Sequence, residues 1–179
     1  MPKILLQGDY DGLCGLYAAL NAANALLRMN EKDREKLFKN MVYLVSKKEN
    51  FADTILNGID ADQMEELLEL IISYSNEEYG RQLVKESLST DENNAAGVWR
   101  NFSNFLNVDD EHSRIIVIGL ENRCDHWTCV RKITGRSLHL IDSFGMMRIN
   151  KSAITTGKKV RKHYRIVADE VWGLYVKKL

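Results

Sequence analysis

The order of two hydrophobic periodicities along the chain restricts its fold more than any other feature. Up to residue 111 the apolar residues recur at helical spacing, and after it they fall into short β-branched runs. Residues 13–28 read as a helix with Leu16, Leu20, Ala23 and Leu27 on one face. Asn30 suits the cap of a second helix to about Ser46, with Leu37, Phe38, Met41, Val42 and Val45 as its stripe. Met64, Leu67, Leu68 and Ile71 mark a third helix over 61–73, and Asn76 suits the cap of a fourth to about Leu88. Residues 89–94 are loop by composition, and a short helix carrying Val98, Trp99, Phe102 and Phe105 follows. Beyond residue 112, strands are expected at Ile115–Ile118, His126–Ile133, Ser137–Asp142, Met146–Ile149, Tyr164–Ala168 and Val171–Val176. Thr134-Gly135-Arg136 is the hairpin turn between the second and third. Helices first and strands second predict an α+β domain with an antiparallel sheet, not a doubly wound α/β fold.

The 179 residues suffice for one domain, taken as 1–179 with a mainly helical part (1–111) and a mainly β part (112–179). Hydrophobic residues at 45% and charged residues at 28% exclude disordered, collagenous and coiled-coil classes. No apolar run is long enough to span a bilayer, and residues 1–6 do not read as a signal peptide, so no membrane partner is expected. Three cysteines are no disulfide framework. They fit a reducing compartment: the cytoplasm, or delivery into a reducing cytosol without a cleavable signal. The net charge of zero conceals an asymmetry. Residues 1–111 carry 11 Lys/Arg against 20 Asp/Glu, and residues 112–179 carry 14 against 5. Such a dipole either steers a partner or lets acidic helices neutralise a basic sheet within one domain.

Two constellations carry chemistry. The first is Gln7-Gly8-Asp9-Tyr10-Asp11-Gly12-Leu13-Cys14-Gly15, a glycine-punctuated loop that runs into a helix. A cysteine at such a junction meets the unpaired N–H groups of the first turn, and both these and the helix dipole favour a thiolate. The Cys14 backbone N–H and the Gln7 amide are candidates for holding an oxyanion, Asp11 for capping the helix, and Tyr10 for lining a cleft. The competing reading of Cys14 is a small buried side chain.

The second constellation is Cys124-Asp125-His126-Trp127-Thr128 together with Leu140-Ile141-Asp142-Ser143. A turn centred near Gly135 makes opposed indices sum to about 270. Those of His126 and Asp142 sum to 268, so the two lie nearly opposite. An Nδ1–H bond to the carboxylate would leave Nε2 as a base. Trp127 either shields that bond and touches substrate or packs in the core. Cys124, His126 and Cys129 also make a C-x-H-x-x-C zinc spacing, but strand alternation turns Cys129 away from the other two, and a fourth ligand would have to come from a distance, from Cys14 or His139. No metal or cofactor is expected.

Taken together, Gln7, Cys14, His126 and Asp142 in that chain order resemble the papain-like cysteine peptidase superfamily. In particular, Cys14-Gly15-Leu16-Tyr17 opening a helix, and His126-Trp127 with Asp142 and Gly145, are similar to its bacterial bacteriocin-processing branch. The resemblance implies a papain-like fold and a thiol hydrolase that cleaves a peptide or isopeptide bond. Its triad would be Cys14, His126 and Asp142, its oxyanion hole Gln7 and Cys14, and its partner a protein or peptide. It equally implies glutamine deamidation or acyl transfer with the same triad, as in bacterial effectors of similar fold. A third class is a non-catalytic module that binds protein or nucleic acid through the basic part. Nucleic acid is disfavoured, because aromatic residues there do not interleave with Lys/Arg.

Overall fold

The computed structural model describes residues 3–8, 11–48, 51–88, 95–108, 112–157 and 161–177. Among them are five α-helices and a mainly antiparallel sheet. The helices are α1 (Cys14–Leu27), α2 (Glu31–Ser46), α3 (Phe51–Asn57), α4 (Ala61–Tyr79) and α5 (Ala95–Leu106). The strands are β1 (Leu83–Ser87), β2 (Arg114–Asn122), β3 (His126–Ile133), β4 (Ser137–Ile141), β5 (Arg148–Asn150), β6 (Ile154–Thr155) and β7 (Tyr164–Val176). The sheet runs β1-β7-β2-β3-β4-β5, with β6 joined to β7 as its one parallel pair.

Alternation along the strands gives the sheet two apolar faces, and helices cover both. Ile115, Val117, Cys129, Ile141 and Leu174 face α1, which α2 and α4 cover in turn. Ile116, Ile118, Val130 and Leu140 face Val98, Phe102 and Phe105 of α5. Helix α1 is wedged between the other helices and the sheet, with twelve of its fourteen residues buried. Small residues make that wedge fit: a Cβ on Gly15 would lie 2.4 Å from the Ile59 side chain. Buried Asn21 of α1 accepts from the Leu5 N–H at 2.8 Å and donates to the Leu5 carbonyl at 2.9 Å. It thereby holds the segment before α1 in an extended form.

Asn30 caps α2 as expected, its side chain accepting the Asp33 N–H. The helix expected from Asn76 to Leu88 does not form. Helix α4 runs unbroken through Asn76, because Tyr74 and Ser75 continue its buried stripe, and it stops at Gly80 in the left-handed conformation. Leu83–Ser87 then becomes edge strand β1, paired with β7. The two strands expected near the end are one, β7, interrupted by a bulge. Ile118 pairs with Val171 and Leu120 with Ile166, so residues 167–170 oppose Gly119 alone.

Candidate active site

Helix α1 begins at Cys14 with Leu13 as its N-cap and no side-chain cap. The expected capping by Asp11 is not what the structure shows. Asp11 accepts from the N–H groups of Leu13 at 3.1 Å and Gly8 at 2.9 Å, so it folds the preceding loop upon itself. The first-turn N–H groups of α1 therefore keep their partial positive charge beside the Cys14 sulfur.

His126 opens β3, and Asp142 directly follows β4. Their register keeps the expected pairing, Cys129 with Ile141 and Val130 with Leu140. Its continuation puts Thr128 opposite Asp142 and His126 opposite Phe144, so His126 reaches Asp142 across the diagonal. The bond is 2.6 Å long and joins Nε2, not the anticipated Nδ1, to Oδ1. The other Asp142 oxygen decides this orientation. Oδ2 accepts the N–H groups of Phe144 and Met146, both at 2.9 Å, which locks the loop and aims Oδ1 at the far side of the ring. Nδ1 is left for Cys14, whose side chain lies near enough to raise the His126 pKa.

All three side chains are buried, Cys14 and His126 at 8% exposure and Asp142 at 3%. Burial disfavours the imidazolium, yet the hydrogen bonds and charges of Asp142 and Cys14 outweigh it and raise the His126 pKa to about 9. Burial also acts against the Asp142 carboxylate, but the His126 and Thr128 side chains, the imidazolium charge and the Met146 N–H hold its pKa below the usual range. The buried Thr128 hydroxyl has no hydrogen bond of regular geometry among the described residues. Its closeness alone favours the charged carboxylate.

The pair opens on one side into a cavity of about 170 Å³ lined by Cys14, His126 and Trp127, with Gly58 and Ile59 on one wall and Gly119 and Glu170 on another. Trp127 is thus in the cavity wall. It does not shield the His126–Asp142 bond, because its indole N–H donates to the Ile59 carbonyl at 2.9 Å and its ring packs on Trp172. The shielding position belongs to Phe144, edge-on to His126 with centroids 5.5 Å apart. Gln7 is not among the residues that line this cavity. Its Oε1 accepts from the Ser143 hydroxyl at 2.9 Å, and one amide N–H donates to the Asp11 carbonyl at 3.0 Å, leaving the second amide hydrogen. Tyr10 and Asp9 fall outside the described residues.

The other cysteines have different surroundings. Cys129 is buried against α1 with its thiol on the Ala18 carbonyl, and burial pushes its pKa up. Burial, with the charges of Asp142 and Asp125, raises that of Cys124 to about 11. The C-x-H-x-x-C residues do not converge, and no cluster of three metal-ligating side chains exists among the described residues. Sequence reasoning missed Phe144, the Gly58–Ile59 wall and the bulge that carries Glu170. Only the bulge left a trace, as the break expected between residues 168 and 171. No family model matches the chain, and no curated protein matches it as a relative. No described helix is long and apolar enough to cross a membrane.

Proposed function

We propose that the protein is a papain-like thiol hydrolase that cleaves a peptide or isopeptide bond in a protein substrate. The observation that carries this reading is the buried group Cys14, His126 and Asp142, of which Cys14 and His126 line a cavity. With a pKa near 9, His126 stays an imidazolium at neutral pH, the counter-ion that a thiolate nucleophile needs. Cys14 Sγ attacks the amide carbonyl, and the Cys14 N–H with the spare Gln7 hydrogen receives the oxyanion. As the C–N bond breaks, His126 Nδ1 gives its proton to the leaving amine, and a thioester remains. Water then attacks the thioester and passes a proton to Nδ1, which releases the acid and restores the pair. Asp142 keeps the ring oriented throughout and stays ionised.

Iodoacetamide labelling near neutral pH with peptide mapping tests the nucleophile. Cys14 is expected to react first, and faster labelling of Cys124 or Cys129 in the folded protein overturns the assignment. Mass spectrometry of proteins incubated with wild type and Cys14→Ala tests the reaction. Cleavage splits the chain with the gain of one water, whereas intact chains with converted glutamines would replace hydrolysis by deamidation.

A further inference from the structure

Residues 112–179 carry 14 basic and only five acidic residues, and those five are not scattered. Asp142 binds His126. Glu121, Asp125 and Glu170 line the cavity beside Cys14, and among the described residues no lysine or arginine lines it. Asp169 is the bulge neighbour of Glu170 and acts on it electrostatically.

Glu170 is placed there by the backbone. The four-residue bulge of β7 opposes Gly119, and the Glu170 side chain occupies the space a Cβ would take. That Cβ would lie 1.8 Å from Glu170 Oε2 and 2.9 Å from its Cβ. Glu121 is engaged by Arg165. Glu170 is half-buried and has no hydrogen bond or ion pair among the described residues. Burial and the charges of Glu121, Asp169 and Asp60 push its carboxyl pKa up against the lowering effect of Arg165, so a further cation would still relieve an unfavourable charge.

We infer that Glu170, seated over Gly119 in the wall of the Cys14 cavity, selects substrates with a lysine or arginine side chain next to the attacked amide. This rests on the hydrolase reading and names its substrate class. Glu121 and Asp125 add to the negative field. The preference is opposite to what the His126 imidazolium alone would give, because an isolated imidazolium attracts anions.

The test needs no known substrate. Three methanethiosulfonate reagents present the same leaving group with an ethyltrimethylammonium, an ethyl or an ethylsulfonate arm. In each case Cys14 displaces methanesulfinate and forms a mixed disulfide. Rates at Cys14 are divided by those of free N-acetylcysteine. The cationic reagent is expected to lead the anionic one by roughly tenfold at low ionic strength, and the gap should shrink as salt is raised. Glu170→Gln, which keeps the shape, should lower that ratio several-fold. Equal normalised rates in wild type, or a ratio untouched by Glu170→Gln, overturn the inference and leave the nucleophile assignment standing. If the neutral reagent modifies Cys124 or Cys129 before Cys14, the hydrolase reading itself falls.

Discussion

Replacing Asp142 by asparagine exchanges one oxygen for an NH₂ group, and the surrounding hydrogen bonds dictate which. Oδ2 accepts from two backbone N–H groups, those of Phe144 and Met146. An NH₂ there would leave both donors unpaired, at about 1–3 kcal/mol each. The amide oxygen therefore stays at that end, and the NH₂ faces His126 Nε2. That nitrogen must then accept, which fixes the neutral ring with its hydrogen on Nδ1, pointing at Cys14. Two consequences follow for the sulfur: it loses its counter-ion, and it cannot hand its own proton to Nδ1. Without the carboxylate, burial is opposed by the Cys14 side chain alone, so the His126 pKa falls from about 9 toward the ordinary 6.5. At 6.5 the imidazolium fraction near pH 7.5 is roughly a tenth, against almost complete in wild type. Turnover should fall toward the serine-triad scale of about 10⁴-fold, and alkylation of Cys14 at that pH by about tenfold or more. The assays are iodoacetamide rate against pH and ring-proton NMR of His126, with circular dichroism as folding control. Asp142→Ala should lose as much activity and be less stable than Asp142→Asn by at least about 2 kcal/mol, since both backbone N–H groups lose their acceptor. Asp142→Asn that alkylates at the wild-type rate with an unchanged His126 titration would refute this reasoning.

His126 provides a test in wild type. Its folded pKa of about 9 stands above the ordinary 6.5. The stability it contributes, ~3 kcal/mol, is therefore complete below about pH 6.5 and lost as pH rises through 9. Urea midpoints should fall over that window, and a midpoint flat from pH 7 to 10 would contradict the assigned ion pair. Gly15→Ala should destabilise by about 1–3 kcal/mol despite better helix propensity, because its Cβ meets Ile59 at 2.4 Å and Trp127 at 3.1 Å. A thermal melt at or above wild type would show that Ile59 moves aside freely.

How far the sequence was legible depended on how local each signal was. The stripes of α1 and α2 and the β3–β4 turn are set by neighbouring residues, so those elements and the approach of His126 to Asp142 could be read directly. The segment after Asn76 could not. Lys85, Glu86 and Ser87 are as polar as a helix surface, and only pairing with β7, some ninety residues later, makes them a strand. The histidine nitrogen was misassigned for a similar reason. Pairing geometry brings two side chains together, but the ring orientation follows from the N–H groups of Phe144 and Met146 on a loop with no regular period. Trp127 does not take the shielding place because it shares the α1-facing side of β3 with Cys129, whereas Phe144, which carried no signal in the sequence, lies across from His126.

Strand β7 has a consequence for the order in which the molecule can be made. It lies between β1 and β2, so β1, which follows α4, joins the sheet only through residues 164–176. Until residues 164–176 have left the ribosome, β1 has no partner strand and the face that buries α1 lacks Trp172 and Leu174. Closing such distant segments is slow in any chain. A nascent chain carrying Cys14, His126 and Asp142 but not yet residues 164–176 therefore lacks the strand that joins β1 to β2 and completes the face over α1.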